Sequence, residues 1–268
     1  MSRITLFENG PILEITMDHP PANAIDQQAS RDLAAAFNML RDRNDLRVAI
    51  VTGGGERMFS AGWDLKAVAN GDIGEDFGGY GFMGLTERFD LNKPVIAAIN
   101  GLAVGGGFEL ALACQVILAV PEVEFALPEL ARGFIPEAGG LLRVTRRLPY
   151  NVAFDLLLTG RRMGATEALQ LGFVNRVVPR SELMSTARAI ANQIVVAAPL
   201  AVAALMEINR AMEGLPEEEA FRRMRSGLPA HTRMRNSVDF LEGARAFAEK
   251  RPPRWLGEYG RNTPWILT

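Results

Sequence analysis

An α/β body followed by a helical C-terminal segment is the fold class this sequence predicts. Three observations carry the prediction. Short β-branched apolar runs alternate with helical patterns in the first half. Glycine clusters follow several of those runs, and helical periodicity dominates from Gly140 onward. Strand, helix, strand at this rhythm argues for right-handed βαβ units and a mostly parallel sheet.

The elements follow in order. Ile12 to Met17 is a β-branched run after a Gly-Pro turn at 10–11. Ser30 to Arg43 reads as a helix, because Leu33, Ala36, Phe37 and Leu40 recur on one face. Val48 to Thr52 is a compact apolar run ending in Gly53-Gly-Gly55, which suits a buried strand and a loop. Residues 70–84 are glycine-rich and predict a flexible loop. Pro94 to Ile99 and Val116 to Val120 are two more strands. Later, Ser181 is a candidate N-cap for a helix toward Ala198, with Leu183, Ala187, Ile190 and Ile194 on one face. Pro199 opens the next helix, and Pro216-Glu-Glu-Glu another with acids at its positive end. The expected organisation is a core domain over 1–198 and a helical segment over 199–268, with no linker or repeat between.

Composition removes whole classes. With 48% hydrophobic and 22% charged residues the chain is globular, since a disordered chain needs few apolar residues and a large net charge. The net charge of −2 supplies no basic surplus for phosphates, so no nucleic-acid partner is expected. One cysteine, Cys114, allows neither an intrachain disulfide nor a cysteine zinc cluster, and a reducing, cytoplasmic setting fits. His19 and His231 are the only histidines, so a histidine triad would have to use one of them. The N-terminus has no apolar stretch of signal-peptide length. Asn100, Glu109 and Gln115 interrupt the apolar stretch from Val95 to Leu118, so no membrane span is expected.

The common catalytic motifs fail. Gly53 to Arg57 lacks the Gly-Lys-Ser/Thr ending of a P-loop, and Gly105-Gly-Gly107 runs into Phe108-Glu-Leu110, breaking the dinucleotide fingerprint at its last glycine. Ser60 lacks the first glycine of a nucleophile elbow. What remains is Gly101-Leu-Ala-Val-Gly-Gly-Gly-Phe-Glu-Leu-Ala-Leu-Ala113, after a strand and opening an apolar helix. Such a helix start offers free N–H groups to an oxyanion. Glu109 lies in that first turn, where it either reacts or complements the helix dipole. A second carboxylate, Glu129, follows Pro128, which forces Leu127 toward an extended conformation and puts Glu129 at a strand end or loop. Paired carboxylates can divide acid and base roles when burial raises one pKa, although spacing alone leaves open whether these two meet. A third segment, Phe59-Ser-Ala-Gly-Trp-Asp-Leu-Lys66, could expose another backbone N–H, with Lys66 either meeting a phosphate or standing in solvent.

Together these segments resemble the enoyl-CoA hydratase/isomerase (crotonase) superfamily. Ser60-Ala-Gly-Trp-Asp-Leu-Lys66, Lys93-Pro-Val-Ile-Ala-Ala-Ile-Asn-Gly101, Gly105-Gly-Gly-Phe-Glu-Leu-Ala-Leu112 and Pro128-Glu129 with Pro136-Glu-Ala-Gly-Gly140 fall in the family's order and spacing. Thr159 to Ala168 and Gly172 to Val178 continue the match, which covers roughly residues 4–257.

The resemblance implies a ClpP/crotonase-like spiral of ββα units, a C-terminal helical oligomerisation segment, and a homotrimer or dimer of trimers. It implies an oxyanion hole from the backbone N–H groups of Trp63 and Gly106, and a CoA site at Ala61, Asp64, Leu65 and Lys66. It places Glu109 and Glu129 on the hydratase branch's two catalytic glutamates. Glu109 would deprotonate water for attack on the enoyl β-carbon, and Glu129 would deliver the α-proton. No metal or other cofactor is implied, coenzyme A being part of the substrate.

Within the family the likeness is closer to the branch interconverting carnitinyl-CoA and crotonobetainyl-CoA. Trp63 discriminates best, since many general hydratases carry a small residue there. Phe82, Glu87, Phe134 and Glu137 are candidates to meet the betaine cation by sequence neighbourhood. A general short-chain enoyl-CoA hydratase is the main alternative. A crotonase-like RNA-associating protein is another, hinted at by Arg143, Arg146 and Arg147 and by Arg222-Arg-Met-Arg225.

Overall fold

The computed structural model describes residues 3–71 and 77–257. The middle of the predicted glycine-rich loop and the tail 258–268 lie outside the described residues. The strands form two sheets. The larger joins β1 (Ile4–Asn9), β2 (Ile12–Met17), β3 (Val48–Gly53), β5 (Val95–Ile99), β7 (Val116–Ala119) and β10 (Arg176–Val177), in that order. Its members are parallel except for the antiparallel β1–β2 pair. The smaller joins β4 (Met58–Ser60), β6 (Leu102–Val104), β8 (Glu124–Ala126) and β9 (Met163–Gly164).

The helices of the first unit are α1 (Gln27–Asp42), α2 (Leu65–Ala69), α3 (Gly106–Ala113), α4 (Gly140–Arg147), α5 (Tyr150–Thr159), α6 (Ala165–Gln170) and α7 (Leu183–Val195). The chain therefore repeats one move three times. A strand of the large sheet leads to a strand of the small sheet and on toward a helix: β3, β4, α2; β5, β6, α3; β7, β8, α4. This is the expected ββα spiral.

The central strands read as unbroken apolar runs because both faces are covered. Every residue of β5 is buried, and β2 and β3 are buried at five of six positions. Helix α1 seats Leu33, Ala36, Phe37 and Leu40 in the core. It begins at Gln27, ahead of the expected Ser30, because Asp26 caps it by accepting from the Ala29 N–H. Likewise α7 starts at Leu183, since Arg180–Glu182 forms a 3-10 turn where Ser181 was expected to cap.

A second compact unit begins at Gln193, so the division lies inside α7 and ahead of Pro199. It contains α8 (Pro199–Met212), α9 (Glu217–Arg225), α10 (Pro229–Arg235) and α11 (Asp239–Ala248). The Glu207 carboxylate accepts from the N–H groups of Ala230 and His231, which ties α8 to the start of α10. Asp239 accepts from Leu256 and Gly257. Among the described residues no single helix is long and apolar enough to cross a membrane.

Candidate active site

The small sheet assembles the site. β4, β6 and β8 are parallel neighbours, with Ser60 opposite Ala103 and Val104 opposite Ala126. Their C-terminal ends therefore share one edge. The loop carrying Trp63 leaves β4, the helix carrying Glu109 leaves β6, and Glu129 follows β8. Ligands of parallel sheets bind beyond such strand ends. Here a cavity of about 910 Å³ opens, lined by Trp63, Gly106, Glu109 and Glu129 among others.

Two of the lining residues, Trp63 and Gly106, bring backbone N–H groups to it. The Ser60 hydroxyl donates to the Asn23 carbonyl at 2.7 Å and accepts from the Gly62 N–H at 3.1 Å. That turn gives Gly62 a φ of +78°, and a Cβ there would stand 2.5 Å from Gly106 N. Gly62 is therefore required both by its backbone and by the approach of the helix start. Among the described residues neither the Trp63 N–H nor the Gly106 N–H has a partner. Two unengaged donors at a loop and at the start of α3 suit an oxyanion. Ser60 is thus a pin for this loop, and its bond to Asn23 excludes a Ser–His pairing with His19. A Cβ on Gly106 would meet the Phe82 ring at 2.2 Å, so that ring lies directly against the first turn of α3.

The two carboxylates do meet in this cavity. Glu109 is 4% exposed, and its Oε1 accepts from the Gly140 N–H at 2.8 Å. Burial pushes its pKa up to about 7, against the pull of that N–H, and the nearby Glu129 pushes the same way. Glu129 opens a 3-10 turn, Glu129–Arg132, directly after Pro128. Burial raises its pKa too, and its Oε2 is buried with no partner. Burial thus disfavours the charged form of both carboxyls, the condition under which a carboxyl pair can divide acid and base roles.

The remaining expected residues fall on the same cavity. Ala61, Asp64, Leu65 and Lys66 all line it. The Asp64 side chain, however, caps α2 by accepting from the Lys66 and Ala67 N–H groups, which holds the short helix in place. Phe82, Phe134 and Glu137 line the cavity, whereas Glu87 is exposed and does not. Sequence reading missed Phe77, which sits edge-on to Trp63 and to Phe82. It also missed the Gly140 N–H that holds Glu109. The signal for the latter was present, because Gly139-Gly140 opens a helix whose N–H groups attract a carboxylate.

Several arginines behind the RNA reading are engaged elsewhere. Arg143 donates to the Thr86 carbonyl, Arg147 to the Cys114 carbonyl, and Arg222 pairs with Glu219. Cys114 is fully buried, and burial pushes its thiol up to about 12, so it is no nucleophile.

The chain is similar to known proteins along most of its length. The chain is 56% identical over 254 residues to the carnitinyl-CoA dehydratase of Salmonella enteritidis PT4, covering 94% of this chain and 97% of that protein. A crystal structure of enoyl-CoA hydratase from Mycobacterium tuberculosis H37Rv matches with a TM-score of 0.89 at 39% identity, covering 96% of this chain and all of that one. A carnitinyl-CoA hydratase from Mycobacterium avium matches with a TM-score of 0.76 at 36% identity, over 96% and 100% of the two chains. The family model described as enoyl-CoA hydratase/isomerase matches residues 8–258, and this chain belongs to that family.

Proposed function

We propose that this protein reversibly hydrates crotonobetainyl-CoA to carnitinyl-CoA. The observation that carries the chemistry is the carboxylate pair, buried Glu109 with a pKa near 7 and half-buried Glu129 with a raised one, lining one cavity with two unengaged backbone N–H groups. The ionised glutamate takes a proton from water as its oxygen bonds to the β-carbon. Negative charge gathers on the thioester oxygen, where Trp63 N–H and Gly106 N–H receive it. The protonated glutamate then gives its proton to the α-carbon. The resemblance assigns Glu109 the first role and Glu129 the second, and dehydration reverses both steps. Ala61, Leu65 and Lys66 line the part of the cavity assigned to CoA, with Asp64 as the cap that orders them. Coenzyme A enters as part of the substrate, and no further cofactor has a step to perform.

The acyl group follows from the relatives. General hydration of a plain enoyl-CoA is favoured by the higher TM-score of the M. tuberculosis protein. Backbone likeness reports the shared fold, whereas acyl choice depends on side chains, and there the 56% identity to a carnitinyl-CoA dehydratase is the greater match. Assembly as a homotrimer or dimer of trimers is proposed alongside, supported by exposed apolar residues such as Phe240, Leu241 and Phe247 on α11.

Loss of enoyl-thioester absorbance tests the activity, with crotonobetainyl-CoA and crotonyl-CoA in parallel. Turnover with a preference for the betaine, cut about 10²–10⁴-fold by Glu109→Gln and by Glu129→Gln, is the expected result. A preference for crotonyl-CoA would make the protein a general hydratase with the same mechanism.

A further inference from the structure

The trimethylammonium group of a betaine substrate has no N–H, so hydrogen bonds cannot hold it. Aromatic faces and an unneutralised carboxylate can. Its nitrogen is bonded to the γ-carbon, next to the β-carbon that water attacks. A site for it must therefore adjoin the two carboxylates.

Such a place exists. The Trp63 and Phe134 ring centroids are 6.3 Å apart at 58°, and Trp63 and Phe77 are 6.3 Å apart at 76°. Phe82 closes the row, 5.4 Å from Phe77. All four rings line the cavity. Trp63 contributes its backbone N–H to the same site, and the Phe134 N–H donates to the Glu129 carbonyl at 3.1 Å. The ring row is thus joined through the backbone to the Trp63 N–H at one side and to Glu129 at the other. The Trp63 indole Nε1 is buried without a partner, so no hydrogen bond dictates where that ring lies.

Charge bears on the site as well: Arg3, Lys66, Arg132 and Arg162 line the same cavity, with Arg3 paired to Asp26 and Arg162 to Glu124. Glu137 lines the cavity three residues after Phe134, and among the described residues no cation pairs with it. The other cavity acids are occupied or placed for reaction: Asp64 caps α2, and Glu109 holds Gly140 N–H. An uncharged acyl chain would gain nothing from a free carboxylate there and would lose by removing its water. A quaternary ammonium is the ligand that turns it to advantage.

We propose that Trp63, Phe77, Phe82 and Phe134, with Glu137, form a cation-binding cage that selects a quaternary ammonium on the γ-carbon of the acyl group. The proposal rests on the betaine reading above, and its test separates the two. Three thioesters are compared by kcat/KM: crotonobetainyl-CoA, crotonyl-CoA, and 5,5-dimethylhex-2-enoyl-CoA, which replaces the ammonium nitrogen by carbon and keeps the shape. Wild type should favour the betaine over its neutral isostere. Phe134→Leu and Glu137→Gln should each reduce that ratio on the order of tenfold, and Glu137→Lys should abolish it. Turnover of crotonyl-CoA by each variant reports that it is folded; Glu137 is exposed, so Glu137→Gln leaves the core untouched. A wild-type betaine preference that survives all three changes would overturn the cage and leave the betaine reading standing. No wild-type preference for the charged thioester would overturn both.

Discussion

The two ends of the cavity are built by different means. The proposed oxyanion end is backbone: Trp63 N–H and Gly106 N–H, brought together by Gly62 and by adjacent strands of the small sheet. The proposed acyl end is side chain, with Trp63, Phe77, Phe82 and Phe134 on loops and a short turn. At Gly62 and Gly106 this backbone site tolerates almost no change, because a single added Cβ collides with Gly106 N or with the Phe82 ring. A side-chain site can be rebuilt residue by residue without disturbing the chemistry. Substitutions at the first end should therefore hurt every substrate alike, and those at the second should change which substrate is preferred.

Gly62→Ala gives the largest expected effect. Its Cβ would need space 2.5 Å from Gly106 N at a φ unfavourable to alanine, so the two N–H groups must separate. One misplaced oxyanion donor costs about 10²–10³ in kcat. The loss should be equal for crotonobetainyl-CoA and crotonyl-CoA, measured at saturating thioester. Unequal losses would mean that the Gly62 turn also shapes the acyl end.

Glu109 lines the same cavity and gives the next effect, read as stability. Its pKa rises from 4.5 to about 7 on folding, so the folded chain holds its proton more tightly than the unfolded one. That preference is fully present below pH 4.5 and is lost as pH rises through about 7. Gln keeps an oxygen to accept from Gly140 N–H and never ionises. Glu109→Gln should therefore raise the melting temperature at pH 8, by the equivalent of at most roughly 3 kcal/mol, and leave it unchanged near pH 4. In the wild type the same titration should lower kcat/KM for hydration below about pH 7, as the base takes up its proton. A melting temperature unaltered at pH 8 would show that Glu109 is not held in a poorly solvated site.

How much of this was legible in the sequence follows the same division. β3, β5 and β7 announce themselves because their runs are almost wholly apolar, and β2 because Ile12, Leu13, Ile15 and Met17 outweigh Glu14 and Thr16. β1 did not, since five of its six residues are exposed at the sheet edge. The strands of the small sheet are two or three residues long, too short for any periodicity to register, although they set the geometry of the site. The backbone end could be read, because glycines at fixed spacing leave a mark. Phe77 could not, because a lone aromatic in a glycine-rich stretch carries no pattern. Glu87 was misplaced for a similar reason: nearness in sequence to Phe82 does not fix which way a side chain faces across a turn.

The smallest effect concerns how the acyl end is held. The 3-10 turn Phe82–Gly84 is fastened to α1, where the buried Ser30 hydroxyl accepts from the Met83 N–H at 2.9 Å. Met83 has a φ of +56°, a conformation that needs such support. Arg88 adds to it, donating to the Gly84 and Ala34 carbonyls with its guanidinium 3.6 Å from the Tyr80 ring centroid. Ser30→Ala leaves the Met83 N–H buried without an acceptor, which costs about 1–3 kcal/mol. The melting temperature should fall by a few degrees. The Phe82 ring rests on the first turn of α3, so its displacement should reach the substrate as well. The expected signature is a KM raised severalfold for the betaine thioester with kcat little changed, since the Glu109–Glu129 pair is untouched. A fall in kcat with KM unchanged would place Phe82 on the oxyanion end, and the division drawn between the two ends would have to move past it.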